Sequence, residues 1–539
     1  MTIGLLLTHS VLRVVQMLGQ FQIVSKRFCK DTRKHIPKGT STIISLLIYS
    51  LLNGPAQLQS SQSAGTPKNS DILVVSAPGS GAGEVHLLSP EDVGLQKGSW
   101  QEHFVSHRLS AESSRFGTAL AVGDFNGDSH SDLAVGSPDD SSLDFRAGRV
   151  LVFYSARQGL QAPQILYQEG LGALGKAEEG DNFGQVLGVG DFNADGFDDL
   201  VVTAIAEAYQ YGYAGAISIV YGARQGLTKE NARTFFQGVA GAEGSPDEDS
   251  LFGFSLEAAD FDADGYDDLA VGVPSVNQHA GAVHIFFGSN AGVGTSDDLL
   301  VTQADLGVRQ EGRFFGHALV TGNFNGKGIT LVASVPEGAG GRLVLLTFDS
   351  SRSVAAHQVL SQRVLGLTAE EEDDFGTELA VGNFDGDAYD DLAVGMTHKY
   401  TGDEDHPLPP SQRDTRYQGA VAVLYGSSLG LAETKSQVFS QNDDLQGFPI
   451  ADESEAFDHY GFELSVAQLN SDAVDDLIVG IPFEAIGATD YAGAINLIYG
   501  SETGLTGLGN RFVNTKDLGL SLEKDGGFGW AVAVIAGFR

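Results

Sequence analysis

Four short segments of this chain place carboxylate and amide side chains at alternating positions, separated by small residues. In each segment the first, third, fifth and ninth positions are Asp or Asn, whose side chains offer carboxylate or amide oxygens. The seventh residue can supply its backbone carbonyl oxygen. Calcium binds six to eight oxygens, which a short loop of this kind can provide. We therefore predict four strong calcium sites. Their predicted ligands are Asp124, Asn126, Asp128, His130 and Asp132; Asp191, Asn193, Asp195, Phe197 and Asp199; Asp260, Asp262, Asp264, Tyr266 and Asp268; and Asn383, Asp385, Asp387, Tyr389 and Asp391.

Two related segments carry fewer carboxylates. One keeps two of them and predicts a weak fifth site, with the ligands Asn470, Asp472 and Asp476. In the other, Lys327 places an ammonium at the fifth position, Leu331 stands at the ninth and no carboxylate remains, so no metal is expected. An EF-hand would need a glutamate at position 12, where the first segment has Val135. Metal-free turns closed by aspartate and asparagine are the alternative.

These segments belong to a longer repeat that opens with an aromatic residue and glycine. The repeat starts lie 67, 69, 63, 60, 85 and 68 residues apart, at Phe116, Phe183, Phe252, Phe315, Phe375, Tyr460 and Phe528. Within a repeat, short alternating runs rich in Val, Ala and Leu indicate four β-strands separated by turns. Four antiparallel strands repeated at one period are typical of a propeller blade.

The two ends of the chain each hold part of one repeat. The repeat at Phe528 contains one strand, whereas Asp71 to Leu88 looks like the second and third strands of a repeat without its first. Joining them would complete a blade and remove an open sheet edge. We therefore predict an all-β, seven-bladed β-propeller with four-stranded antiparallel blades, in which the N- and C-terminal strands share the seventh blade.

The repeat resembles the FG-GAP repeat, on the opening Phe-Gly pairs and on closing tripeptides such as Gly136-Ser137-Pro138 and Gly272-Val273-Pro274. It is similar to the N-terminal seven-bladed propeller of integrin α subunits and to bacterial secreted integrin-like proteins. The resemblance implies structural calcium in the loops of the blades and partner recognition on the opposite face.

Composition narrows the class of partner. The formal charge is -38, and the single cysteine, Cys29, lies in the basic N-terminal segment. A surface this acidic repels phosphate groups, and we therefore expect no nucleic-acid partner. With no thiol in the repeats, disulfides and cysteine zinc sites are not expected there.

The first residues have the order of a secretory signal. Basic residues precede the apolar run from Ile43 to Leu52, and small residues follow it. We expect residues 1–56 to be a signal peptide with a long basic region, 57–70 a linker and 71–539 the propeller. The apolar run is too short for a membrane span, so we expect no integral span and a secreted or cell-surface location.

The expected function is an adhesion or interaction module, not an enzyme, with an extracellular protein or glycan ligand. The longest insert, Met396 to Gln418, is a candidate recognition loop. One alternative is a glycan-binding, lectin-like propeller with pockets lined by Tyr209, Tyr211 or Tyr213. Another is a propeller polysaccharide lyase or hydrolase, which would need a cluster of acid, base or basic groups in the central cleft.

Overall fold

A computed structural model describes most of the chain between residues 72 and 535. The described segments are 72–79, 83–88, 103–105, 115–156, 159–171, 176–209, 212–239, 242–245, 250–308, 313–338, 340–366, 373–399, 417–431, 435–441, 443–451, 455–470 and 472–535. The expected signal peptide and linker lie outside them. None of the helices within these segments has the length and apolarity needed to cross a membrane.

Seven four-stranded antiparallel sheets account for nearly all regular structure in the described segments, one sheet for each repeat. We name the strands of a blade A to D in the order in which they lie side by side. In blades 1 to 3 they are Leu120–Gly123, Asp132–Ser137, Arg149–Phe153 and Gln164–Leu166; Phe183–Gly190, Asp199–Ala204, Ala216–Tyr221 and Thr228–Phe235; and Ser255–Ala259, Asp268–Val273, Ala282–Phe286 and Leu299–Thr302. In blades 4 to 6 they are Leu319–Gly322, Thr330–Val335, Arg342–Asp349 and Ser353–Ser361; Leu379–Gly382, Asp391–Met396, Ala420–Leu424 and Ser436–Phe439; and Glu463–Ala467, Asp476–Ile481, Ala494–Tyr499 and Thr506–Val513.

Blade 7 is built from both ends of the described chain. Its strands A to D are Val532–Ile535, Ile72–Ala77, Glu84–Leu88 and His103–Val105. Strands A and B pair antiparallel, with Ile72 opposite Ile535 and Val75 opposite Val532. The predicted closure of the ring is therefore confirmed.

Few other elements occur in the described part of the chain. They are the two-stranded hairpins Ala208–Tyr209 with Gly212–Tyr213 and Asp444–Leu445 with Phe448–Pro449, and the helical turns Val276–His279 and Gln362–Leu365. The fold is all-β, as predicted.

The hydrophobic core lies between blades. Seven clusters of buried side chains each combine residues of two neighbouring blades. The aromatic residue that opens every repeat is fully buried, and burying such a side chain contributes about 1.5–3 kcal/mol. Phe183 also packs against Gly148 of blade 1. A Cβ on Gly148 would lie 2.2 Å from the carbonyl oxygen of Phe183, and the φ angle of Gly148 is +83°. That close approach requires glycine.

The A strands contact one another in a closed ring, from blade 1 through blade 7 and back to blade 1. Because successive strands are antiparallel, the A–B and C–D loops lie at one end of every blade, which we call the A–B face. The B–C loops and the D–A connections between blades lie at the other end, which we call the B–C face. The predicted metal ligands are all in A–B loops.

Candidate metal centres

The first aspartate of a full loop bends the loop around its own carboxylate. In blade 2, Asp191 Oδ1 accepts a hydrogen bond from the N–H of Asp195 at 3.1 Å, and Oδ2 accepts from Gly196 at 2.9 Å. Equivalent bonds form in blades 1 and 3. The sixth position has a positive φ, 85° at Gly196 and 65° at Ser129, so the turn forms with serine as well as with glycine. The loop thereby curves around the side-chain oxygens.

Blade 3 brings its predicted ligands closest together. Carboxylate oxygens of Asp260, Asp262 and Asp268 lie within 4.8 Å of one another. Oxygens that each lie 2.3–2.6 Å from one calcium ion are separated by up to about 5 Å, so this spacing fits calcium. In blade 1 the third and ninth positions also meet, because Asn126 Nδ2 donates to Asp132 Oδ2 at 3.2 Å.

Blade 5 contains an acceptor with no partner. Asn383 Nδ2 donates to the carbonyl of Asp387 at 2.8 Å, whereas Asn383 Oδ1 is buried and has no hydrogen-bond partner among the described atoms. An unsatisfied buried carbonyl costs about 1–3 kcal/mol. A cation at the centre of the loop would satisfy it, so the residues of this loop also fit calcium.

The ninth aspartate has a structural role beside its predicted role as a ligand. In blade 3, Asp268 Oδ2 accepts from the N–H of Phe261 and Oδ1 accepts from the N–H of Gly288, two residues after strand C, both at 2.8 Å. Burial raises the pKa of this carboxyl to about 7. Burial likewise raises the pKa to about 8 for Asp199 and to about 7 for Asp132, Asp391 and Asp476. A nearby divalent cation would favour the ionised form of each.

Positively charged or hydrogen-bonding side chains already contact three of the four loops. Arg352, from the C–D hairpin of blade 4, donates to Asp262 at 2.8 Å and to Asp264 at 3.1 Å. Lys435 bonds to Asp385 in blade 5, and the imidazole of His130 lies 3.1 Å from the carboxylate of Asp128. In blade 2, by contrast, the described contacts of the ligands are with backbone N–H groups. Blade 2 is therefore the least obstructed of the four loops.

The loops of blades 4 and 6 keep the backbone shape with fewer charges. Asp472 N–H donates to Asn470 Oδ1 at 2.8 Å, as in the full loops, and Asp476 accepts two backbone bonds. In blade 4, Gly322 pairs with Thr330, whereas blade 1 pairs Gly123 with Asp132. The blade 4 loop is one residue shorter, so Thr330 takes the ninth position and the alignment of Leu331 with that position was wrong. Neither residue is a carboxylate.

The aspartate at the eighth position links neighbouring blades, a role that the sequence analysis missed. Asp198 Oδ2 accepts from the N–H of Asp124 in the preceding blade at 2.7 Å, and the N–H of Asp198 donates to the carbonyl of Asp124 at 3.2 Å. Three further pairs repeat the contact: Asp267 with Asp191, Asp390 with Asn323, and Asp475 with Asn383. The sequence did contain a signal for this role, because positions eight and nine are both aspartate in the loops that make these contacts, whereas the predicted calcium site uses only the ninth as a ligand.

The B–C face carries a continuous group of aromatic side chains from blades 5 to 7, which we call the aromatic surface. Its members are Tyr417, Phe457, Phe462, Phe483, Tyr491 and Trp530, joined through His459. Ring centroids of neighbours lie 5.2–6.1 Å apart. Phe457 and Tyr491 are 41% and 37% exposed, and the guanidinium of Arg115 lies 5.7 Å from the centre of the Trp530 ring.

The described segments include only part of the long insert and of the tyrosine group that the sequence suggested for recognition. Residues 400–416 of the long insert, as well as Tyr211, lie outside the described segments. The end of the insert contributes Tyr417 to the aromatic surface. Tyr213, on the blade 2 hairpin, is 40% exposed.

Comparison with known proteins supports the interpretation of the repeats. The FG-GAP repeat family matches residues 116–153, 183–220 and 252–286, in blades 1 to 3. Phosphatidylinositol-glycan-specific phospholipase D of Rattus norvegicus is 32% identical over 222 residues, which cover 40% of this chain and 25% of that protein. Human integrin alpha-IIb is 35% identical over 189 residues, covering 32% of this chain and 16% of that protein.

A longer match is to integrin alpha-5 of Xenopus laevis, 28% identical over 277 residues, which cover 49% of this chain and 24% of that protein. The aligned regions thus span about a quarter or less of each of these relatives. They share the repeats, and the described structure has seven blades. The chain therefore carries FG-GAP repeats in a seven-bladed β-propeller similar to the N-terminal propeller region of integrin α subunits.

Proposed function

We propose that this protein is an extracellular, calcium-binding interaction module that recognises a protein or glycan ligand through its B–C face and performs no catalysis. Four A–B loops bind structural calcium, and the blade 6 loop binds it weakly. A secreted or cell-surface location follows from this role, because millimolar calcium is available outside the cell.

The aromatic surface is the observation that carries the proposed recognition role. Aromatic side chains with exposed rings are enriched where proteins bind partners, because they bury a large area at a small cost in side-chain entropy. About two-fifths of the surface of Phe457 and of Tyr491 is exposed to solvent, so both rings are available to a partner. A rigid ring of blades holds these loops in place, which lowers the entropy lost on binding.

Calcium bound on the opposite face would support the same role. The A–B loops carry the predicted carboxylate ligands, and the eighth-position aspartates link these loops from blade to blade. Cations bound there would reduce repulsion among the carboxylates and stiffen the ring that presents the B–C face.

Binding to an extracellular-matrix preparation and to a glycan array, with and without calcium, tests this function. The double variant Phe457→Ser, Tyr491→Ser should lose binding and keep its fold. The matched control is Leu429→Ser, which changes a 91% exposed leucine in the C–D loop of blade 5 on the A–B face. If the double variant binds as well as the parent protein, recognition does not use the aromatic surface. Release of product from a polysaccharide or from phosphatidylinositol-glycan would contradict a purely binding role.

A further inference from the structure

Two groups of three acidic residues occupy equivalent places on the B–C face of blades 2 and 6. Two members lie five and two residues before the aromatic residue that opens the repeat, and the third lies eight residues after the ninth-position aspartate. We call these groups the acidic triads. They consist of Glu178, Asp181 and Glu207 in blade 2, and Glu455, Asp458 and Glu484 in blade 6.

Two members of each triad are buried and the first is exposed, and in blade 6 all three lie close together. In blade 6, carboxylate oxygens of the three members lie within 4.8 Å of one another, and Asp458 and Glu484 are 2% and 1% exposed. In blade 2, Asp181 and Glu207 are 2% and 4% exposed. Burial and the charge of Glu207 raise the pKa of Asp181 to about 8. Buried carboxylates this close together need a positive charge or a proton between them.

A buried glutamine contacts each triad through its side-chain amide. Gln168 Nε2 donates to Glu207 Oε2 at 2.5 Å, and Gln441 Nε2 donates to Glu484 Oε2 at 2.8 Å. Both glutamines are 1% exposed, and in both the Oε1 atom is buried without a hydrogen-bond partner among the described atoms. The amide that donates to the triad therefore also carries a buried oxygen that accepts no hydrogen bond from the described atoms. Amide carbonyls and carboxylates together are typical ligands of calcium.

Blade 5 shows how the same place is filled when the third acid is absent. Lys399 stands eight residues after the ninth-position Asp391, where blades 2 and 6 have glutamate. Its Nζ lies 2.7 Å from Asp373 Oδ2, and Asp373 is the counterpart of Asp181 and Asp458. In blade 5 the chain thus supplies its own cation to this aspartate, whereas blades 2 and 6 put a carboxylate in place of the ammonium.

We propose that each acidic triad, together with its glutamine, binds a calcium ion on the B–C face. The ion takes the place that the Lys399 ammonium has in blade 5. It joins the connection from the preceding blade, which supplies the glutamine and two acids, to the B–C loop, which supplies the third. In blade 6 the site adjoins Phe457 and His459, so its ion fixes one side of the aromatic surface.

Counting bound calcium in the full chain tests this proposal, by equilibrium dialysis followed by metal analysis. Glu484→Lys and Glu207→Lys should each bind one ion fewer than the parent, and the double variant two fewer, because the new ammonium replaces the ion as in blade 5. Glu484→Gln should also lose one ion while keeping an acceptor for the Gln441 amide. The control Asp490→Asn, which alters a half-exposed acid of the same loop that pairs with Lys524 at 3.3 Å, should lose none.

The result is independent of the A–B loops. If those loops bind no calcium, the parent should still hold two ions that the lysine variants remove. Circular dichroism establishes that each variant is folded. Folded Glu484→Lys and Glu484→Gln proteins that bind as many ions as the parent would overturn the proposal, since the triad would then be satisfied by shared protons.

Discussion

Arg352 Nε lies 2.8 Å from Asp262 Oδ2, so a guanidinium from blade 4 contacts a predicted calcium ligand of blade 3. The same guanidinium reaches Asp264 at 3.1 Å and lies 4.9 Å from the centre of the Phe287 ring. It must therefore compete with calcium for the oxygens of this loop. The loop with the most carboxylates is for that reason not expected to bind calcium most tightly.

Replacing Arg352 by alanine should tighten calcium binding at the blade 3 loop. An exposed ion pair contributes about 0.2–1 kcal/mol, so losing this competition should lower the Kd of that site by roughly 1.4- to 5-fold. Calcium titration calorimetry measures the change. Lys524→Ala removes an exposed ion pair on the other face and serves as the control. An unchanged or weaker blade 3 site would show that Arg352 does not compete with the ion.

Single substitutions should distinguish loops that bind calcium from a loop that does not. Asp264→Ala should remove one bound calcium, whereas Lys327→Ala should remove none, because its loop has no carboxylate ligand. Extracellular sites bind calcium with Kd values of about 10⁻⁴ to 10⁻³ M, so at ~1 mM calcium each tighter site contributes on the order of 1.4 kcal/mol to folding. Chelation should accordingly lower the thermal midpoint of the parent protein. Equal stoichiometry in the two variants would identify the loops as metal-free turns.

The eighth-position aspartates should stabilise the ring without calcium. Asp390 Oδ2 accepts from Asn323 N–H at 2.6 Å, and the Asn323 loop is not expected to bind metal. Asp390→Ala should therefore cost about 0.5–1.5 kcal/mol of unfolding free energy, equally with calcium and with chelator. Asp195→Ala, at the fifth position of a full loop, should be more destabilising with calcium than with chelator. Denaturant unfolding under both conditions compares the two, and a calcium-dependent effect of Asp390→Ala would contradict the structural role.

The fold was predictable from the sequence because the repeat is strict. The aromatic residues at the seven repeat starts and the incomplete repeats at the two ends were enough to establish the number of blades and the closure of the ring. The loop backbone was predictable for the same reason, since alternating acceptors and turn residues act within nine neighbouring positions. Thr330 was misaligned with its counterparts because a one-residue deletion inside a loop leaves the flanking strand pattern unchanged.

Contacts between blades were not predictable in this way. Arg352 lies 90 residues from Asp262, and nothing in the repeat pattern indicates that the C–D hairpin of one blade reaches the A–B loop of another. Each acidic triad combines residues of a D–A connection with a residue of a B–C loop, and its first and last members are 29 residues apart in both blades. Such groups become visible only when the register of the blades is known.

Closure through the chain ends should be essential for solubility. Val532 to Ile535 pairs with strand B of blade 7, and Ser76 bonds to Ala531 through both its N–H and its Oγ. Removing residues 528–539 would leave the backbone of Ile72–Ala77 unpaired along one edge. We expect aggregation in size-exclusion chromatography, whereas removing residues 536–539 alone should leave a soluble protein. A soluble 528–539 deletion with an unchanged thermal midpoint would contradict this role.

Glu378 and Glu463 should make the stability of the ring depend on pH. Glu378 directly precedes strand A of blade 5 and Glu463 opens strand A of blade 6, and they are 3% and 1% exposed. Burial raises the pKa of both carboxyls well above the ordinary value, and the charge of Glu378 adds to the effect on Glu463. The native state therefore holds protons that the unfolded chain releases at about pH 4.3. Their stabilising contribution is complete below that pH and is lost as pH rises through the native pKa values.

The variants Glu378→Gln and Glu463→Gln should remove this dependence. Glutamine is neutral at every pH, and its Oε1 can still accept the hydrogen bond that Glu463 receives from the N–H of Val532 at 3.1 Å. Each variant should match the parent near pH 4 and exceed its thermal midpoint at pH 8, because the parent loses on the order of 1.4 kcal/mol for every unit of pH between the unfolded-state pKa of about 4.3 and the native pKa. Thermal unfolding at constant calcium measures the difference, with the exposed Glu230→Gln as control. Midpoints of the parent and both variants that run parallel from pH 5 to pH 8 would show that the two buried carboxyls do not hold these protons in the native state.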